Sequence, residues 1–281
     1  KGAFAQMATV KANGYTHIPA PIEGYEAGTE LEVMLTTDPG SIERTLILTG
    51  TIEPALERLA DLLHDRGLFI HATNPGNFSG ILALKNNTCH AAPLVLPAHD
   101  LLGTYQPLMQ FPGIKDLAFI HIARVELGIA SLDGLGLSDL VDVRFINTRK
   151  DTPSRSVLDA LLAAKGIDHT NVNGYGQEVH GPPAVAVAIR NGFADAGICT
   201  SGIASANGLA FVPLAHEDYE LAVRKEMLTD PRIQTLIAAI RSPGYQALVK
   251  SIGGYDTSLA GSIRELGRDM MLVLISHEIQ S

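Results

Sequence analysis

Two hydroxyls and a guanidinium follow a short apolar run near the middle of the chain. Thr152, Ser154 and Arg155 stand between a predicted strand over 143–147 and a predicted amphipathic helix over 154–165. The first turn of a helix leaves backbone N–H groups unpaired and carries a partial positive charge. Hydroxyl and guanidinium donors at the same place favour the binding of an anion. The alternative is an ordinary capped helix start with a solvated arginine.

Two further strand-to-helix junctions carry side chains of the same kind. Thr49 and Thr51 precede one predicted helix, and we expect Thr51 to be its N-cap. Asn77 and Ser79 precede the next helix, with Ser79 as the expected cap. Hydroxyls at several strand ends are typical of ligand sites in open α/β sheets.

The elements that must position these side chains follow from the hydrophobic periodicity. From about residue 45, apolar strand patterns alternate with amphipathic helical patterns, which predicts parallel β–α–β units. The run 117–130 is long for one strand, so we expect it to pass between two lobes, with 209–214 as a return crossing and 219–223 as a separate strand. Helices are predicted over 54–63, 81–84, 154–165, 183–191, 231–241 and 243–251.

Residues 1–40 differ from the rest, since Gly and Pro separate short β-rich runs there. This pattern predicts a small antiparallel β unit that ends at the turn Asp38-Pro39-Gly40. Because the chain starts at Lys1 within a strand-like pattern, we expect it to be part of a longer protein.

The composition narrows the class of protein. The 281 residues are 46% hydrophobic and 18% charged, as in ordinary globular α/β proteins. The net charge of −9 argues against nucleic acid or an anionic membrane as partner. Cys89 and Cys199 stand in apolar surroundings and are predicted to be buried thiols. The histidines lack the spacing of a metal-binding helix, so no metal is expected.

No set of residues indicates catalysis. Glu217 and Asp218 are adjacent carboxylates, but neighbouring residues of a strand face opposite ways, which argues against an acid–base pair. We therefore expect this chain to contain no catalytic residue.

The order of several motifs resembles the periplasmic-binding-protein-like domain found beside molybdenum-cofactor proteins and some helix-turn-helix regulators. The resemblance covers about residues 45–260. It is carried by 147–159, Gly174-Tyr175, His180, 191–198, 209–214, 217–221 and 253–256. It implies an α/β, two-lobed type II fold over residues 41–281. Lobe 1 would comprise about 45–122 and 211–281, and lobe 2 about 123–210.

The first forty residues resemble the end of the C-terminal β domain of a molybdopterin molybdenumtransferase of the MoeA type. The matching residues are Met7-Ala8, 12–15, 18–20, 23–28 and Glu32-Val33. This resemblance implies a cytoplasmic parent protein in which the enzyme is fused to a solute-binding domain. The transferase chemistry would then lie upstream of this chain.

Together these resemblances imply that molybdate or tungstate binds between the lobes, without a covalent cofactor. The expected contacts are Thr49, Thr51, Asn77, Ser79, Thr152, Ser154, Arg155, Tyr175 and His180. A molybdopterin-like organic phosphate, or another anion bound by a transport receptor or an effector sensor, remains an alternative. Residues 262–281 either pack on the domain or form a homodimer contact.

Overall fold

The computed structural model describes residues 12–26, 28–97, 116–150 and 152–265. The predictions that concern Met7-Ala8, Asp151 and residues 266–281 lie outside these ranges.

The helices of the described ranges mostly begin at a proline, which has no N–H to leave unpaired in the first turn. They are α1 (Pro39–Glu43), α2 (Pro54–His64), α3 (Asn77–Lys85), α4 (Pro153–Ala164), α5 (Pro182–Arg190), α6 (Ser201–Ala206), α7 (Pro231–Arg241) and α8 (Pro243–Ile252). Short 3-10 turns occupy Leu137–Val141, His169–Asn171 and Lys225–Thr229.

Most of the strands join one mixed sheet. They are β1 (Gly14–Tyr15), β2 (Met34–Leu35), β3 (Thr45–Thr49), β4 (Phe69–Thr73), β5 (Ala91–Pro97), β6 (Leu117–Ser131), β7 (Phe145–Thr148), β8 (Glu178–Val179), β9 (Ala196–Thr200), β10 (Ala210–Arg224), β11 (Tyr255–Asp256) and β12 (Ile263–Glu265). The order in the large sheet is β4-β3-β5-β10-β6-β9-β7-β8, and β11 and β12 also pair with β6. β1 and β2 form a separate antiparallel pair, as predicted for the first segment.

Two long antiparallel strands, β6 and β10, join the two halves of the sheet. The second half of β10 pairs with β5, from Glu217 opposite Pro97 to Val223 opposite Ala91. The second half of β6 pairs instead with β9. Each end of the long pair therefore belongs to a different lobe, and the predicted two-lobed α/β fold is confirmed. The residue boundaries given above for the lobes stay predictions.

Helices cover both faces of the sheet in each lobe. In lobe 1, α2, α7 and α8 bury one face around Leu59 and Ile237, while α3 covers the other with Ile81. In lobe 2, α4 packs through Leu158 and α5 through Val185. A fully buried Leu or Ile contributes about 1.5–3 kcal/mol, so these stripes hold each lobe together. The helices cover the faces of the sheet and not the ends of the strands, where the candidate site lies.

Several local predictions need correction. The N-cap of α2 is Glu53 rather than Thr51, and it makes no side-chain cap bond. The N-cap of α3 is Gly76, so Ser79 lies inside the first turn of a helix that starts earlier than predicted. The strands predicted at 209–214 and 219–223 are one strand, β10. The predicted boundary turn at 38–40 is the start of α1, which Asp38 caps.

Among the described residues, no helix is both long and apolar enough to cross a membrane.

Candidate functional site

The two lobes face each other across β6 and β10, and a small, partly open cavity lies between them. Its volume is ≈ 10 Å³, about the space that one water molecule needs. The cavity is lined by Glu53, Val95, Val125, Thr200, Glu217 and Tyr219. Glu53 and Val95 come from lobe 1, Thr200 ends β9 in lobe 2, and the other three belong to the two connecting strands.

Ser154, in the first turn of α4, bonds to one of the residues that line this cavity. Its hydroxyl donates to the two carboxylate oxygens of Glu217 at 3.3 and 3.4 Å. Both residues are buried, with 8% of Ser154 and 2% of Glu217 exposed. The hydroxyl predicted from the sequence as an anion contact therefore lies at the junction of the lobes.

Two carboxyl groups line the cavity, that of the buried Glu217 and that of the partly buried Glu53. Burial raises the pKa of Glu53 to about 7, although a hydrogen bond from the Tyr255 hydroxyl works in the opposite direction. Burial, followed by the nearby charge of Glu53, raises the pKa of Glu217 to about 8. No described cation forms an ion pair with either group. Near neutral pH both carboxyls are therefore protonated for much of the time.

Tyr219 holds the wall of the cavity in place. Its hydroxyl donates to the Thr51 carbonyl oxygen at 3.0 Å and accepts from the Glu53 N–H at 3.3 Å. Burial raises its pKa far above the ordinary value, so the group stays a neutral phenol. These two bonds fix the loop between β3 and α2, and with it the position of Glu53.

The predicted contacts of lobe 1 mainly support this wall. The Thr51 hydroxyl donates to Asn77 Oδ1 at 2.7 Å. Asn77 in turn donates to the Val95 carbonyl at 2.6 Å and accepts from its N–H at 3.1 Å, which joins α3 to β5. Thr49 accepts a bond from Thr73 at 3.3 Å. These polar groups brace the strands, and a role as direct ligand contacts stays a prediction.

Arg155 is held by its own lobe. The residue is only 2% exposed, and its guanidinium donates to Asp159 at 2.9 Å and to Glu178 at 3.3 Å. It also lies 4.0 Å from the ring centroid of Tyr175. None of these partners lines the cavity. Binding of a ligand by Arg155 or Tyr175 would require the exchange of these contacts.

The remaining predicted contacts do not line the cavity either. Thr152 caps α4, because its side chain accepts from the Arg155 N–H at 3.4 Å. Ser79 lies partly buried in the first turn of α3, and His180 is exposed just before α5. Of the nine predicted contacts, Ser154 is thus the one whose hydroxyl bonds to a cavity-lining side chain, while Thr51 and Asn77 hold that lining.

Four polar residues of the cavity were not predicted as contacts: Glu53, Thr200, Glu217 and Tyr219. The prediction that Glu217 and Asp218 face opposite ways is confirmed, because Asp218 pairs with Arg124 at 2.8 Å while Glu217 faces the cavity. An acidic side chain in the middle of a long buried strand was the available signal for Glu217.

The cysteines and the acidic groups do not indicate a metal site. Cys89 and Cys199 are free and buried, as predicted, and burial raises their pKa values to about 11 and about 12. In the part of the chain that the structure describes, no three His, Cys, Asp or Glu residues are grouped to hold a metal ion.

Two α/β lobes, two connecting strands and a cavity between the lobes define a domain with the type II periplasmic-binding-protein-like fold. Residues 60–241 match the family described as the PBP superfamily domain. The chain therefore belongs to this superfamily.

Two relatives of undescribed function share part of the sequence. Protein YvgK of Bacillus subtilis is 32% identical over 130 residues, which are 46% of this chain and 42% of that protein. A protein encoded in the 5' region of the 2Fe-2S ferredoxin gene of Clostridium pasteurianum is 32% identical over 108 residues, 38% of this chain and 96% of that protein. The chain thus spans less than half of the length of the Bacillus relative.

Solved structures of the same fold differ widely in sequence. A phosphate transporter substrate-binding protein from Clostridium perfringens, with bound phosphate, superposes with a TM-score of 0.57 at 12% identity, covering 74% of this chain and 97% of that chain. A phosphate transport receptor from Vibrio cholerae gives 0.54 at 12% identity, with 75% and 98% covered. The effector-binding domain of a BenM variant gives 0.53 at 18% identity, with 76% and 99% covered.

Proposed function

We propose that this domain captures a small oxyanion between its two lobes, with molybdate or tungstate as the ligand. The observation that carries the proposal is the Ser154 hydroxyl, which lies in the first turn of α4 and donates to Glu217, a residue that lines the inter-lobe cavity. The start of the helix adds a partial positive charge next to that hydroxyl. Neutral donors of this kind suit a desolvated tetrahedral dianion.

Thr200, from the same lobe as Ser154, lines the cavity itself. It ends β9 directly before α6, and its side chain makes no cap bond there, which leaves the hydroxyl free for a ligand. The phosphate held by the Clostridium perfringens protein supports a tetrahedral anion as a ligand that this fold accommodates.

Capture requires movement of the lobes. A tetrahedral oxyanion is larger than one water molecule, and the cavity has a volume of ≈ 10 Å³. The lobes are linked by β6 and β10, so separation by bending of these two strands would admit the anion. Closure would then remove it from water.

In this proposal the domain serves molybdenum-cofactor assembly. The resemblance of the first forty residues to the molybdopterin molybdenumtransferase supports a cytoplasmic parent protein that contains that enzyme. This chain would bind and deliver the anion, and the chemical step would take place on the transferase part.

Calorimetric titration of ligand-stripped protein tests the proposal, with molybdate, tungstate, sulfate, phosphate and an organic phosphate ester as probes. We expect molybdate and tungstate to bind more tightly than the other three. Ser154→Ala should weaken their binding by about 10-fold or more, because a hydrogen bond to a charged group is lost.

Ser156→Ala is the matched control, since Ser156 is an exposed serine of the same helix. Its affinity should equal that of the wild type. Absence of binding for every anion would refute the proposal, and tightest binding of the phosphate ester would replace molybdate with an organic phosphate.

A further inference from the structure

Two carboxyl groups border the space that the proposed anion would enter. Glu217 receives the hydroxyl bond of Ser154, and Glu53 lines the same cavity from the start of α2. No described cation pairs with either group. The donor that should hold the anion is thus occupied by a carboxyl group of the protein itself.

Ionised carboxylates at this site would repel a dianion. Like charges a few ångströms apart in a buried site interact strongly, because little water screens them. A protonated carboxyl is different, since its O–H is a hydrogen-bond donor that an oxyanion can accept. The same two side chains therefore exclude or hold an anion, depending on their protons.

We infer that Glu53 and Glu217 admit an oxyanion only in their protonated forms, so that capture of the anion takes up protons from solution. The inference rests on the proposed function and names these two residues as determinants of specificity. On binding, the Glu217 carboxyl gives up the bond from Ser154, whose hydroxyl then donates to the anion.

The titratable groups around Glu53 act in opposite directions, because the Tyr255 hydrogen bond lowers its pKa and the charge of Glu57 raises it. Glu53 faces Tyr255, which donates to its carboxylate at 3.4 Å, and it feels the charge of Glu57 one turn further along α2. Tyr219 lines the same cavity as Glu53 and Glu217.

Cys199 and Tyr245 complete these surroundings. Burial is the main cause of the raised pKa of each, so both stay neutral near pH 7. The described groups that face the pair therefore provide no positive charge that would keep it ionised.

The raised pKa values support the inference, since they place both titrations within reach of neutral pH. Glu53 titrates near pH 7 and Glu217 near pH 8, both because of burial. The affinity for a dianion should consequently change over the range in which the protein would work.

The experiment is a calorimetric titration with sodium molybdate from about pH 6.5 to about pH 9, in buffers of different ionisation enthalpy. Wild-type affinity should fall with pH, approaching about tenfold per pH unit for each proton taken up. The heats should differ between buffers by an amount that reports proton uptake. This second measurement needs no variant.

Glu53→Gln and Glu217→Gln, alone and combined, keep a neutral group of the same size. The double variant should bind molybdate without pH dependence over this range and without proton uptake. Asp61→Asn is the matched control, because Asp61 is an exposed carboxylate of the same helix that pairs with Arg58 and should leave the pH dependence intact.

Two results would overturn the inference and remain distinguishable. Molybdate binding with no proton uptake, and with equal pH dependence in the double variant, would remove this inference and leave the proposed function in place. No molybdate binding by either protein at any pH would remove both.

Discussion

Replacement of Arg155 by alanine is expected to lower the free energy of unfolding by about 2–4 kcal/mol. Arg155 belongs to α4, and its side chain is buried. The guanidinium bonds to Asp159, Glu178 and the Thr148 carbonyl, and it stacks on the Tyr175 ring. Its loss would leave a void and two acidic groups without their cation. For a domain of this size the melting temperature should fall by about 5–15 °C.

Arg144→Ala is the control for this variant. Arg144 pairs with Asp195, but 55% of its side chain is exposed, so its loss should lower the melting temperature far less than the loss of Arg155 does. If Arg155→Ala instead melted like the wild type and lost anion affinity, Arg155 would be a ligand contact, as the sequence alone predicted.

Stability should decrease as the pH rises from about 4.5 to about 8, the interval between the ordinary and the raised pKa values of Glu53 and Glu217. Burial raises the pKa of Glu53 and Glu217, so within this interval the folded protein binds more protons than the unfolded chain does. By linkage, the free energy of unfolding then declines with pH, and it levels off once both groups are ionised in the folded state. Urea unfolding across this range measures the decline.

A variant of the same size, Glu217→Gln, tests the direction of this pH dependence. Glu217→Gln removes one titration, so at about pH 9 the variant should exceed the wild type in stability by on the order of 2 kcal/mol, with little difference near pH 5. Parallel pH profiles for the two proteins would contradict the burial of the Glu217 carboxyl. Because no ligand is present, this test is independent of the proposed function.

Much of the fold could be predicted from the sequence. The helices α4, α5, α7 and α8 were predicted to within two residues, because amphipathic periodicity and an initial proline mark them clearly. The long strand β6 was recognised from its unbroken apolar run. β10 was divided in error, because Pro213 and the polar residues 216–218 interrupt the pattern. In the structure a β-bulge between Pro213 and Ala215 accommodates the proline.

The site was harder to predict than the fold. Ser154 was predicted as an anion contact because a hydroxyl in a first helical turn is visible in the sequence, and its role as a ligand contact stays a prediction. Glu53 and Glu217 stand 164 positions apart, and only the packing of β10 against the β3–α2 loop brings them to one cavity. A sequence shows that a glutamate is acidic, whereas its burial, and hence its pKa, depends on the tertiary structure. The same limit applies to Arg155, whose burial within its own lobe no local pattern reveals.

Anomalous diffraction from crystals of the protein grown with tungstate tests the central claim most directly, since tungsten scatters strongly enough to be located without ambiguity. The account predicts one strong peak between the lobes, within hydrogen-bond distance of the Ser154 hydroxyl, with Glu53, Thr200 and Glu217 around it. A peak only elsewhere, on the outer surface or beside Arg155 and Tyr175, would contradict the capture of an oxyanion between the two lobes.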